Sequence, residues 1–413
     1  VPANSDAQPR TETTRLTIGV AAAGTASFAL LYAPQPVLAQ LAADYGLQPG
    51  GASLAVGVAT GALALAVLPM ALLAGFVGRR RLIVVSICVS VAIGLLLPLA
   101  PSYSVLLAMR ALQGAAIAGL AGIGAALLAD RLGRAGVAAA VGAMIAGNTL
   151  GGMLGRLLSG LSVDSLGWRG ALAVVAGFSL ICVVVTIIAL PAAPAADAAV
   201  EPHGRRPSVW AGMRAAMRHP ELGVQYAVAF LAMGAFVALY NVVGFRLTGA
   251  PFDLSPGLAS LVFLTYALGA VSSAVTGVLT RRAGRRRVLI GALFVTAAGT
   301  ALTVPDALPL VVAGFGVLTI GFFAAHAVAN GWTAAAASRE ARGQASGLYT
   351  TCYYLGSSLG GTAGSVVFGV AGWSWLVGAV MLWLILAAVM AGWWGRSRPA
   401  AGTEPVTIRV NAL

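Results

Sequence analysis

The sequence predicts an all-α membrane protein with twelve transmembrane helices arranged as two pseudo-symmetric six-helix bundles. Three observations carry that prediction. Of the 413 residues, 59% are hydrophobic and 9% charged, with a mean hydropathy of +0.91, whereas about a quarter of a soluble globular chain is charged. The 25 basic residues are all arginine and stand at alternate ends of the apolar runs. The two halves of the chain repeat one another at a nearly constant offset.

A helix needs roughly 20 apolar residues to cross ~30 Å of hydrocarbon. Apolar runs between breaks containing Arg, Pro and Gly give helices 1 to 6 at 16–39, 51–77, 82–100, 104–129, 136–160 and 168–190. Helices 7 to 12 follow at 222–245, 257–280, 288–304, 308–334, 343–371 and 373–395. The chain thus divides into an N-terminal tail at 1–15, a first six-helix bundle at 16–190 and a second at 222–395, with a C-terminal tail at 396–413. Between the bundles lies 191–221, whose Pro191, Pro194, Pro202, Pro207 and Pro220 read as a linker.

If the N-terminus is cytoplasmic, the tails, the linker and the alternate turns on that side hold 21 of the 25 arginines, and the opposite turns hold only Arg169 and Arg246. Excess arginine in cytoplasmic loops sets membrane orientation, so both tails and the linker are expected in the cytoplasm. The same placement explains the net charge of +13 without a nucleic acid. The first 15 residues are polar and lead into a run too long for a signal-peptide core, so no cleavable signal is expected. Cys88, Cys182 and Cys352 lie far apart in apolar segments, which offers neither a disulfide framework nor a metal site.

The duplication is explicit. Phe28-x-x-Leu31-Tyr32 returns as Phe236-x-x-Leu239-Tyr240, an offset of 208, and Gly78-Arg79-Arg80-Arg81 returns as Gly284-Arg285-Arg286-Arg287, an offset of 206. Gly147-x-Thr149-Leu150-Gly151-Gly152-x-x-Gly155 returns as Gly356-x-Ser358-Leu359-Gly360-Gly361-x-x-Gly364, an offset of 209. Parallel six-helix repeats related by an axis along the membrane normal are a transporter architecture. The small-xxx-small ladders Gly147, Gly151, Gly155 and Gly356, Gly360, Gly364 allow helices to approach closely.

Over helices 1 to 12 the chain resembles the major facilitator superfamily. The turn after helix 2 resembles the G-x-x-x-D-R-x-G-R-R motif of that family, Arg110-Ala111-Leu112-Gln113-Gly114 its R-x-x-Q-G motif, and the run from Gly147 to Gly160 the helix 5 motif of drug:proton antiporters. Leu31-Tyr32-Ala33-Pro34-Gln35-Pro36, the stretch Gly147 to Arg156 and Tyr353-Tyr354-Leu355-Gly356-Ser357-Ser358 are similar to the acriflavine-sensitivity branch. One departure stands out: Gly75 and Arg281 occupy the two positions of the motif aspartate, which in the family helps to close the cytoplasmic side. Asp130 and Glu340 remain as partners for the two arginine clusters.

Buried charges mark function in a membrane helix. None of the twelve acidic residues falls in the middle of a span, and the charges that do lie within spans are Arg110 and Arg156. At 1.5 Å per residue Arg110 lies roughly 9 Å and Arg156 about 6 Å inside the outer ends of their helices. Arg110 and Gln113 share a face at i, i+3, and Asn148, Gly152 and Arg156 form a stripe at i, i+4, i+8. The duplicated positions are Val317 and Ser365, so the repeat fold itself requires neither charge. For Arg110, a structural plug held by backbone carbonyls competes with a role in binding; for Arg156, snorkelling or a pair with Asp164 does. His326 is the sole histidine in a span and, with an unperturbed pKa near 6.5, the candidate for proton coupling; a neutral, hydrogen-bonded ring is the alternative. Asn330 and Trp332 beyond it read as interfacial. Tyr32, Gln35, Tyr240, Asn241, Tyr266, Tyr353 and Tyr354 sit on helices 1, 7, 8 and 11, which line the cavity in the resembling family. Pro34 and Pro36 break helix 1 and free carbonyls near Tyr32.

The resemblance implies a secondary transporter of the bacterial inner membrane that exports a small amphiphilic molecule or drug in exchange for protons by alternating access. Arginines without buried acids leave open a second reading: a transporter of an organic anion or zwitterion that uses Arg110 and Arg156 and need not be proton-coupled. With no Ser/His/Asp set and no metal cluster in the sequence, an enzyme is not expected. Nor is a cofactor, a metal or a nucleic-acid partner; the expected partners are a small-molecule substrate, the lipid bilayer and protons, and the expected state is a monomer.

Overall fold

A computed structural model describes residues 10–132, 134–190, 209–338 and 341–394. Tail residues 1–9 and 395–413, linker residues 191–208 and Glu340 lie outside the described residues. Nine segments among the described residues are long and apolar enough to cross a membrane. The longest of them, Ala139–Ala189, is helices 5 and 6 meeting at Gly167, whose φ of 63° and ψ of 177° no helix contains. Helix 9, Arg285–Leu302, carries three arginines in its first turn, and helix 11, Arg342–Leu355 and Gly361–Ala371, is interrupted by a π turn at Gly356–Gly360; these complete the twelve. Outward faces carry exposed apolar side chains such as Leu65, Ile188, Val271 and Leu382, as a hydrocarbon solvent demands, while the polar groups of the spans turn inward.

Small residues set the packing within each bundle. A Cβ added at Gly147 or Gly151 would lie 2.3 Å from the Ala21 carbonyl oxygen or 2.2 Å from that of Thr25, and one at Gly155 would lie 2.5 Å from the Ala29 Cα, so helix 5 rests directly on the backbone of helix 1. The repeat does the same: Cβ atoms at Gly356, Gly360 and Gly364 would meet Phe230, Gly234 and Ala238 of helix 7 at 2.2, 2.5 and 2.3 Å. Gly151→Leu is therefore expected to force helices 1 and 5 apart, an overpacking cost of at least ~1–3 kcal/mol. The check is a lower melting temperature and a smaller monodisperse peak in size-exclusion chromatography.

The arginine turns are duplicated in three dimensions as well. Gly78 (φ 89°, ψ 135°) and Gly284 (φ 81°, ψ 143°) take the same conformation, one that glycine adopts without a Cβ penalty. Arg80 donates to the Leu190 carbonyl at the end of helix 6 (3.0 Å), and its repeat Arg286 donates to the Gly392 carbonyl near the end of helix 12. Each guanidinium thus caps a helix C-terminus, where the dipole favours a cation. Arg79 pairs with Asp130. Within the stretch read as a linker, Val209–Arg218 is a helix, and Pro220 begins helix 7, Pro220–Thr248. Pro220 opens a helix there instead of marking loop, because proline is tolerated in a first helical turn.

Candidate functional site

The site begins with a broken helix. Helix 1, Arg10–Tyr32, stops before Pro34, and the chain resumes as a short helical stretch, Gln35–Val37, that leads into Leu38–Tyr45. Proline has no N–H, so the Leu30 carbonyl loses its helical donor at Pro34. Arg110 supplies the replacement: its Nη1 donates to Leu30 O (3.0 Å) and its Nη2 to Leu31 O (2.5 Å). Its Nε donates to Ala55 O of helix 2 (2.7 Å), and Nη1 also bonds the Gln113 side-chain oxygen. Gln113 in turn donates to Ser90 O of helix 3 (2.9 Å). Fully buried, Arg110 ties helices 1, 2, 3 and 4 together, and the two residues expected to face substrate are embedded in the first bundle instead. The physical reason is that the orphan carbonyls satisfy the guanidinium inside the protein.

Between the bundles lies a cavity of about 490 Å³ whose walls come from helices 1, 4, 5, 7, 8, 10 and 11. They run from the middle of the helices, at Tyr32, Arg156 and Tyr266, towards the arginine turns, at Ala121, Ile145, Gly331 and Thr350. Tyr32, Asn148, Arg156, Tyr266, Tyr353, Tyr354 and His326 all line it. Asn330 lines it too, although the sequence placed that residue at the interface. Trp332 instead donates its indole N–H to Glu221.

Arg156 sits at the closed end of this cavity, 1% exposed. Its guanidinium carbon lies 4.0 Å from the ring centroid of Tyr32 and 4.4 Å from that of Tyr266, with Phe263 at 5.5 Å. Nε donates to Gln35 Oε1 (2.5 Å) and Nη1 to Gly152 O (2.7 Å). Asp164, the acid considered as its partner, accepts instead from the Gly257 backbone N–H at 3.1 and 3.2 Å. The reason is geometric, because Gly257 opens the helix Pro256–Ser260, whose free N–H groups attract a carboxylate.

Gln35, Tyr240 and Asn241 stand behind the wall. Gln35 Nε2 donates to Asn241 Oδ1 at 2.8 Å, joining helix 1 of one bundle to helix 7 of the other. Tyr240 is buried in an aromatic cluster, its hydroxyl 2.7 Å from both Thr265 and Thr319. The bond from Gln35 to Asn241, the Asp164 cap and the contact of Gly160 with Ser260 all join the bundles at the end opposite the arginine turns. Helices 2 and 11 also touch, through Ser358 Oγ to Gly57 O (2.7 Å) and Thr351 Oγ1 to Ala64 O (3.3 Å). The molecule is thus closed at one end and its cavity faces the other.

His326 is held at Nδ1 by the Tyr349 hydroxyl (3.0 Å), which also reaches the His326 carbonyl (3.3 Å), and its ring stacks on Phe322. Tyr349 is a wall residue that sequence reasoning missed, as are Phe28, Met144, Met233, Phe236 and Phe322. For Phe28 and Phe236 a signal existed, since both belong to the repeated Phe-x-x-Leu-Tyr motif. For Met144 and Met233 none did: a methionine in an apolar span reads as packing. Among the described residues no group of His, Cys, Asp and Glu could hold a metal ion.

The profile described as Major Facilitator Superfamily matches residues 17–249 and 244–410. The chain is 36% identical over 379 residues to the "Inner membrane transport protein YnfM" of Escherichia coli (strain K12), covering 92% of this chain and 89% of that protein. It is 31% identical over 383 residues to the "Uncharacterized MFS-type transporter YybF" of Bacillus subtilis (strain 168), covering 93% and 94%. Among solved structures, a bacterial homolog to the human lysosomal transporter Spinster, in an inward-facing and unoccupied conformation, superposes with a TM-score of 0.79 at 16% identity, over 94% of this chain and 98% of that one. A point mutant of the nucleoside transporter NupG superposes with a TM-score of 0.73 at 14% identity, over 91% and 99%. At such identities these two likenesses concern the fold.

Proposed function

The chain belongs to the major facilitator superfamily, and from that premise we propose that it exports small amphiphilic molecules across the bacterial inner membrane in exchange for protons. It is a multi-pass membrane transporter and not an enzyme. The observation that carries the export reading is the cavity: aromatic groups with polar tips and flexible methionines surround a space whose lining runs towards the arginine turns. A mostly apolar wall with a few convergent polar groups suits an amphiphile. Positive turns belong in the cytoplasm, which makes the described state inward-facing, with both termini cytoplasmic. The Escherichia coli relative, named an inner membrane transport protein, supports the inner membrane. In this reading Tyr32, Asn148, Tyr266, Tyr353 and Tyr354 contact substrate, and Gln35 and Asn241 close the outer gate. Arg110 and Gln113 contribute by holding helix 1 in its broken shape, and Tyr240 by bracing helices 7, 8 and 10.

Proton exchange falls to His326, the imidazole on the cavity wall, because arginine stays protonated. The test is transport into proteoliposomes under an imposed pH gradient, with a panel of cationic, neutral and anionic amphiphiles. His326→Gln is expected to lower pH-driven transport at least tenfold while leaving substrate counterflow intact. Full pH-driven transport by that variant would take His326 out of the coupling step. A second reading, transport of an organic anion, is favoured by one observation: Arg156 is buried on the wall and, among the described residues, no acid is bonded to it.

A further inference from the structure

We propose that Arg156 is an anchoring subsite for a carboxylate carried on a planar aromatic body, bound end-on at the closed end of the cavity. The inference deepens the transport reading above and rests on it, since it assigns chemistry to a wall of the same cavity.

The geometry dictates how a ligand reaches the guanidinium. Aromatic rings crowd it, Tyr32 at 4.0 Å and Tyr266 at 4.4 Å from the guanidinium carbon to the ring centroid. Of its five N–H groups, Nε–H goes to Gln35 and one on Nη1 to Gly152 O. Among the described residues Nη2 donates no hydrogen bond, so its two N–H groups and the second on Nη1 are uncommitted. Two parallel N–H groups on adjacent nitrogens form the fork that a carboxylate matches with two short bonds.

Charge bookkeeping favours the same ligand. A buried guanidinium without a counter-ion is costly relative to water, and the fold does not require it: the repeat position is Ser365, satisfied within its own helix by Gly361 O at 2.8 Å. The nearby outer acids are committed elsewhere, Asp164 to the Gly257 N–H and Asp44 to the Trp168 indole and Arg169. An anion arriving from the cavity offsets the cost in the loaded state. Beyond the guanidinium an aromatic wall continues without a gap. Tyr266 meets Phe236 at 5.6 Å and Phe323 at 5.8 Å between ring centroids, Phe236 stacks on Phe322 at 3.9 Å, and Phe322 stacks on His326 at 6.2 Å. That wall offers flat stacking surface to a conjugated ring, which a short aliphatic acid would leave unused.

The experiment measures binding of three isosteric probes to the purified full chain in detergent by isothermal titration calorimetry: 1-naphthoate, neutral 1-naphthamide and cationic 1-naphthylmethylammonium. Wild type is expected to bind naphthoate at least tenfold more tightly than naphthamide, and the cation more weakly than either. Arg156→Gln should bind naphthoate and naphthamide alike. Arg156→Lys keeps the charge but loses the fork, and should weaken naphthoate severalfold. Equal affinity of wild type for naphthoate and naphthamide overturns the subsite, as does an undiminished preference in Arg156→Gln. If Arg156→Gln does not fold, Arg156→Lys decides, and unchanged naphthoate affinity there overturns it. Binding and transport of the neutral or cationic probe without naphthoate would remove the carboxylate subsite and leave the transport reading standing. No binding and no transport of any probe would remove both.

Discussion

Arg110→Ala is expected to yield little folded protein, and Arg110→Lys to fail almost as badly. The guanidinium satisfies the Leu30, Leu31 and Ala55 carbonyls and holds Gln113, whose amide bridges to Ser90 O. Alanine leaves those acceptors buried and dry, and each unsatisfied group costs ~1–3 kcal/mol. Several together are comparable with the whole stability of a domain, ~5–15 kcal/mol. Lysine offers one nitrogen where three stand, so it cannot reach carbonyls on helices 1 and 2 together. Gly114 adds to the constraint, because a Cβ there would lie 2.0 Å from Ala59 O and helix 4 has no room to shift. The measurement is the monodisperse fraction after extraction and the melting temperature of what remains. Well-folded Arg110→Ala with unchanged stability but altered substrate selection would return this residue to the binding site.

A disulfide across the closed end is expected to stop transport. A Cβ at Gly257 would lie 3.3 Å from Asp164 Cγ, one bond beyond the Asp164 Cβ, so the Cβ atoms of a cysteine pair at these positions would be near the ~3.5–4.5 Å separation that a disulfide spans. Asp164 belongs to helix 5 and Gly257 to helix 8, so the bond would join the two bundles at the end that must part in the proposed export cycle. With Cys88, Cys182 and Cys352 replaced by serine, the oxidised Asp164→Cys/Gly257→Cys protein should lose at least nine-tenths of its transport of whichever panel compound it moves. Dithiothreitol should restore it. Equal rates before and after reduction would mean that this end does not open during the cycle.

Much of the fold is visible in the sequence because membranes impose simple periods. The ladders Gly147, Gly151, Gly155 and Gly356, Gly360, Gly364 announce their contacts by spacing alone, and both rest on a neighbouring backbone as that spacing implies. The arginine turns likewise repeat in sequence and in backbone angles. The site was only partly legible. Pro34 marked the freed carbonyls and Arg110 the buried charge, but their meeting depends on how helices 1 and 4 pack, and nothing local encodes that. Arg156 and Asp164, two turns apart on one helix, made a plausible pair until the N-terminus at Gly257, nearly a hundred residues away in sequence, claimed the acid. Tyr349 was invisible for the same reason: its partner His326 belongs to a different helix.

In the proposed cycle the cavity of the resting protein is closed at the outer end and open to the cytoplasm beside the arginine turns. Asn330 lines that cavity on helix 10, and the decisive quantity is the labelling rate of Asn330→Cys, in the background without native cysteines, by a membrane-impermeant maleimide. Fast labelling in inside-out vesicles and slow labelling in right-side-out vesicles is expected when no substrate is present. Labelling that is as fast or faster from the outer face would contradict the inward-facing assignment.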